Sequence, residues 1–159
     1  MPELRQAQSL NFYRSIVIIT VACSSCQPPQ PENKEISKSE MLNIVKNCDL
    51  QFSKGVKQKD STILVDIYSD SAQYVQPNKP ILTGKSEIGA DWAEFLRLKE
   101  NPIDLVLTIK NVEGTSEIIY ETGSGYTLLA DSTKWKFNYV NVWRHQEDGS
   151  YKLEIDAYN

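Results

Sequence analysis

Few residues in this chain could do chemistry. Asp156 puts an acid into the terminal stretch "YKLEIDAYN", sharing one side of the alternation with Glu154 and Tyr158 while Tyr151, Leu153, Ile155 and Ala157 share the other. A carboxyl turned toward an apolar hollow has its pKa raised by desolvation and can serve as general acid or base. It can equally be bonded to a neighbouring tyrosine or backbone amide and simply fasten the last strand. His145, the one histidine, stands beside a turn with no positioned partner, which argues for solvation rather than catalysis. Cys23 and Cys26 have C-x-x-C spacing. A redox motif needs a strand before it and a helix after it, and a tetrahedral zinc site needs further Cys or His ligands, so redox, metal and cofactor roles are not expected. Cys48 falls on the apolar face of a helical stretch, as a buried free thiol would.

A chain of 159 residues has the material for one sizeable core. Seventeen basic against 21 acidic residues leave a net charge of -4, with no basic run of the kind nucleic acid requires. The start differs from the rest. "SIVIITVA" (15–22) is too short to span a bilayer, which takes ~20 residues, but it suits the core of an export signal. "VACSSC" and the proline-rich "QPPQPENKE" follow; the arrangement resembles a bacterial lipoprotein signal, with Cys23 as the lipidated residue and Cys26 as the alternative. The expected organisation is an export signal over 1–22, a disordered tether over 23–36 and a domain over 37–159. That resemblance implies lipid anchoring in a bacterial cell envelope, with membrane contact through the anchor alone.

The elements that must position Asp156 come in a clear order. Ser37 and Glu40 form a capping box, and Met41, Val45, Cys48, Phe52 and Val56 then recur on one helical face, with Gly55 marking where the helix loosens. Asp60 caps a second short helix carrying Ile63/Leu64 and Ile67/Tyr68. Tyr74 and Gln76 share a face of a short extended segment ending at Pro77. A third helix begins near Gly84, with Ile88, Trp92 and Phe95 on one side. From Ile103 the period becomes two: Ile103, Leu105, Leu107 and Ile109 share a face. Gly123-Ser124-Gly125 predicts a bulge or bend. Trp135, Phe137, Tyr139, Asn141 and Trp143 line one face, an aromatic stripe that suits core or dimer interface, and Glu147-Asp148-Gly149-Ser150 is a hairpin turn. Helices followed by antiparallel strands make an α+β protein, and helices covering a curved sheet leave a hollow, the default place for a ligand.

Two stretches, "KQKDSTILVDIYSDSAQYVQPNKPILTGKSEI" and "NYVNVWRHQEDGSYKLEIDAYN", resemble the nuclear transport factor 2-like superfamily, in particular an uncharacterised SnoaL-like, ketosteroid isomerase-like subfamily. The resemblance covers roughly 37–159 and implies a cone-shaped antiparallel sheet wrapped around three N-terminal helices. It also implies where an isomerase would keep its catalytic groups: the enolate-binding tyrosine falls on Phe52, the base on Gln76 and the enolate-binding aspartate on Asn141. Glutamine is no base at useful pH, and phenylalanine has no donor. The same resemblance turns Asn141, Glu154, Asp156 and Tyr158 toward the hollow.

The expected pocket is therefore Phe52, Tyr74, Gln76, Trp92, Tyr139, Asn141, Glu154, Asp156 and Tyr158, roofed by Trp92 and Phe95. It would hold a small apolar or amphipathic molecule without an isomerase's catalytic set. The alternative is a SnoaL-like enzyme (isomerase, cyclase or hydrolase-type) using Asp156 as general acid or base, with Asn141 and Gln76 orienting the substrate. Related folds dimerise through the outer sheet face, so a homodimer is expected.

Overall fold

A computed structural model describes residues 35–159. The expected signal, the tether up to residue 34, and both Cys23 and Cys26 lie outside the described residues.

Helix α1 (Lys38–Gln58) starts where its capping box predicts: the Ser37 hydroxyl accepts from Glu40 N at 3.2 Å, and Ser37 N donates to Glu40 Oε2 at 2.9 Å. Its buried face carries Met41, Val45, Phe52 and Val56, each worth about 1.5–3 kcal/mol when fully removed from water. Gly55 does not loosen the helix. A Cβ there would lie 2.6 Å from the Leu64 side chain, so glycine is what lets helix α2 (Ser61–Asp66) pack close. Asp60 caps α2, its Oδ1 accepting from Thr62 N at 2.9 Å. This helix ends before Tyr68, which opens strand β1 (Tyr68–Val75) because its backbone runs beside Leu153 rather than continuing the helical ladder.

A short β2 (Leu82–Thr83) and helix α3 (Gly84–Phe95) follow. Four long strands complete the fold: β3 (Pro102–Gly114), β4 (Ile118–Leu129), β5 (Lys134–His145) and β6 (Tyr151–Tyr158). They form one open six-stranded sheet in the order β2-β1-β6-β5-β4-β3. The sheet is mixed rather than wholly antiparallel, since β1 pairs parallel with β6 while every other neighbour is antiparallel. The α1 stripe, α2 and the Ile88/Trp92 side of α3 join the concave sheet face in one core. The α+β architecture and its helical cover match the sequence reading.

Three irregularities change which side chains face inward. The β3–β4 ladder skips Ile103, leaving that residue 39% exposed while Pro102 and Leu105 face the core. It skips again at Lys110, so the expected irregularity sits opposite the Gly123 region rather than within it. Gly123 and Gly125 stay in the ladder and serve a different purpose: a Cβ on Gly123 would lie 2.3 Å from the Tyr139 hydroxyl oxygen, and one on Gly125 would lie 2.7 Å from the Phe137 ring. The third skip falls in β6, where Val142 pairs with Ile155 but Trp143 pairs with Leu153, leaving Glu154 as the extra residue. That bulge turns Leu153 and Asp156 both inward, although they are three residues apart.

Candidate functional site

Between α3 and the concave face lies a cavity of about 290 Å³, at the small end of the range for ligand sites. Phe52 of α1, Tyr74 and Gln76 at the end of β1, Trp92 and Phe95 of α3, Tyr139 and Asn141 of β5, and Asp156 and Tyr158 of β6 all border it. Eight of the nine residues expected from sequence are therefore brought together. Glu154 is the exception. The β6 bulge puts it on the outer side, where its carboxylate pairs with Arg144 Nε at 2.8 Å. Leu105, Leu107 and Thr127 add to the wall, unannounced by any motif.

The aromatic rings are packed against one another. Tyr74 and Trp92 are nearly parallel, 12° apart with centroids at 6.0 Å, and Phe52 and Tyr158 flank them. At the mouth, Gln76 Nε2 donates to Asp91 Oδ2 at 2.7 Å, and Lys79 pairs with Asp91 Oδ1 at 3.2 Å.

Asp156 closes the inner end. The Trp92 indole N–H donates to the Tyr68 hydroxyl at 3.2 Å, and that hydroxyl donates to Asp156 Oδ2 at 2.5 Å. Burial pushes the Asp156 carboxyl up to about 7; the Tyr68 hydrogen bond pulls the other way and nearby Glu121 adds to the rise. Tyr68 itself is held well above its ordinary value, mainly by burial and then by the charge of Asp156, so it remains a donor. Such a carboxyl exchanges its proton near neutral pH, the property a general acid or base needs.

Behind the Tyr139/Asn141 wall sits a second acid group that sequence reasoning missed. Glu121 of β4 is fully buried and accepts from Tyr139 Oη at 2.5 Å, Trp143 Nε1 at 2.9 Å and Asn141 Nδ2 at 3.4 Å. Asp49 of α1 lies near Glu121, and burial first, then the neighbouring Glu121, pushes its carboxyl up to about 9. Signals for both were present. Glu121 shares a strand face with Ile119, and Asp49 sits four residues after Val45 and three before Phe52, on the edge of the apolar stripe. Tyr68 was missed for another reason, its assignment to a helix.

His145 packs edge-on against Tyr151, with ring centroids 5.1 Å apart, remote from this cluster. Cys48 is half-buried, and desolvation raises its thiol to about 12, which keeps it inert. Among the described residues no set of His, Cys, Asp and Glu could hold a metal ion, and no helix is long and apolar enough to cross a membrane.

No protein-family model matches the sequence, and a search of curated proteins gives no match. Solved structures do match. A ketosteroid isomerase-like protein from Erwinia carotovora atroseptica is 16% identical with a TM-score of 0.60, covering 75% of this chain and 95% of its own. An NTF2-like protein of unknown function from Pseudomonas putida is 13% identical with a TM-score of 0.58, covering 77% of this chain and 84% of its own. A domain of unknown function with a cystatin-like fold from Nostoc punctiforme is 12% identical with a TM-score of 0.67, covering 77% and 78%. The chain thus has the nuclear transport factor 2-like fold, which sets the architecture and leaves the activity to the site.

Proposed function

We propose that this domain binds a small amphipathic molecule in the cavity between α3 and the sheet. The observation that carries the reading is a preformed, aromatic-bordered hollow of about 290 Å³ with Asn141 and Asp156 at its inner end and charged side chains at its mouth. Phe52, Gln76 and Asn141, standing where the resemblance puts an isomerase's donor, base and acid, favour holding over isomerising. Native mass spectrometry of the full chain purified from its source cell tests this directly. A retained small molecule is expected, lost in a cavity-filling Leu107→Trp variant that still melts cooperatively. If neither a retained mass nor any ligand-induced thermal shift can be found, the reading fails.

The exported, lipid-anchored setting belongs to the same proposal. It rests on the 15–26 segment, and Cys23→Ala should release the protein from the membrane fraction, whereas Cys26→Ala should not. Homodimerisation through the outer face is favoured by Tyr120 and Val140, which are 52% and 47% exposed there; solution mass measurement decides it.

One observation favours an enzyme as the second reading, namely an acid titrating near neutrality inside the cavity. On that reading Asp156 would move a proton and Asn141 would orient the substrate. Turnover that follows the ionisation of Asp156 would establish it.

A further inference from the structure

The inner end of the cavity has acceptors and no cation. Asn141 and Asp156 are directly opposed across the β5–β6 pair, so their side chains leave the same face about 5 Å apart at Cβ. Asn141 is 2% exposed, and its Oδ1 has no hydrogen-bond partner. The amide cannot be turned round to satisfy it: Nδ2 faces Glu121 Oε2, and the opposite orientation would set oxygen against carboxylate. Among the described residues, the one hydrogen-bond partner of Asp156 is Tyr68, on Oδ2. The lysines bordering the cavity, Lys79 and Lys136, are exposed, and Lys79 is paired with Asp91 at the mouth.

We infer that the ligand is an amphipathic amine, its ammonium seated on Asp156 beside the Asn141 amide and its apolar body lying among Phe52, Tyr74, Trp92 and Tyr158. This rests on the small-molecule reading above and specifies its chemistry. An ammonium brings a positive charge and three donors to the ionised carboxylate; a hydroxyl brings one donor and no charge; a carboxylate brings no donor and meets the field of Asp156. Aromatic rings bordering the cavity add cation–π attraction.

The groups that face Asp156 are Tyr68 and Tyr74 from β1, Trp92 from α3, Tyr139 and Asn141 from β5, and Tyr158 from β6, with Glu121 and Asp49 behind Asn141. The lysines are at the far end, so within the cavity the ammonium is the one cation Asp156 can pair with. Since the empty site takes up a proton near pH 7, amine affinity should rise about tenfold between pH 6 and pH 8, as the competent ionised fraction grows.

Titration calorimetry of the full chain with 2-phenylethylamine, 2-phenylethanol and 3-phenylpropionate provides the test. The amine should bind at least tenfold more tightly than the alcohol at pH 8, the acid should be weakest, and only the amine should strengthen from pH 6 to pH 8. In Asp156→Asn the amine-to-alcohol ratio should collapse toward one. If the alcohol binds and the amine gains nothing over it, or if the acid binds best, the amine inference is overturned while the cavity reading stands. If none of the three binds and the source-cell protein retains nothing, both fall together. Should Asp156→Asn fail to fold, the wild-type pH series decides alone.

Discussion

Two buried acid groups lie side by side on the concave sheet face, and they are surrounded very differently. Glu121 has three donors from β5 and the Asp49 carboxyl as a fourth neighbour, and none of the cavity touches it. Asp156 has one donor, Tyr68, and borders open space. A buried charge costs several kcal/mol unless its lone pairs are met. Glu121 meets that cost internally, and its carboxylate fixes the Tyr139, Asn141 and Trp143 side chains. Asp156 meets it only in part, which is why its proton affinity rises and why a ligand has something to gain there. A sealed acid builds the wall; an open one is available to a guest.

That contrast can be broken by substitution. Glu121→Leu should have the largest effect, since it strands a tyrosine hydroxyl, an indole N–H and an amide in the core; a loss above about 3 kcal/mol is expected in urea denaturation, where about 1–3 kcal/mol attaches to each unsatisfied group. A loss below about 1 kcal/mol would make Glu121 no different from a surface acid. Gly123→Ala comes next. Its new methyl would occupy the place of the Tyr139 ring tip and force the hydroxyl off Glu121, at about 1–3 kcal/mol for overpacking, with a changed tyrosine fluorescence or ultraviolet signal. An unchanged melting curve would refute the close approach.

The pH dependence tests the open acid further. In the folded protein Asp156 keeps its proton up to about pH 7, whereas its ordinary value is 3.8. The folded form therefore binds more protons between those limits, and stability falls as pH rises from about 4 to 7. Asp156→Asn should remove about one proton's worth of that slope, measured as denaturation midpoints against pH; an unaltered slope would contradict an open, desolvated acid. Asp49→Asn should act in the same direction. Burial likewise raises its carboxyl above the ordinary 3.8, so folding near neutral pH costs an added proton that a neutral amide does not need. The variant should be more stable than wild type at pH 7 and show a flatter fall between about pH 4 and 7; a loss of stability at pH 7 would show that Asp49 is ionised in the folded protein.

Much of this was legible in the sequence because it depends on local rules. The capping box of α1, the period of 3.6 in α1 and α3, and the period of two from β3 onward are written in consecutive residues, and together with the family resemblance they led to eight of the nine expected cavity positions. What stayed hidden depends on pairing across the sheet. The β6 bulge moved Glu154 outward to Arg144, because an extra residue in one strand reverses the alternation beyond it. The parallel β1–β6 contact, which brings Tyr68 to Asp156, joins residues 88 positions apart and leaves no periodic trace. Glu121 and Asp49 did leave one, each lying on an apolar face; a charge on such a face is better read as a buried, partnered group than as solvated.

The most direct measurement is the titration of the Asp156 carboxyl carbon by NMR, alone and with saturating 2-phenylethylamine. With the protein alone the midpoint should lie near 7, and the bound ammonium should pull it down by a unit or more, since a tenfold affinity gain corresponds to one pKa unit. A midpoint near the ordinary aspartate value, unmoved by the amine, would mean that Asp156 sees water rather than a cavity, and would contradict the account.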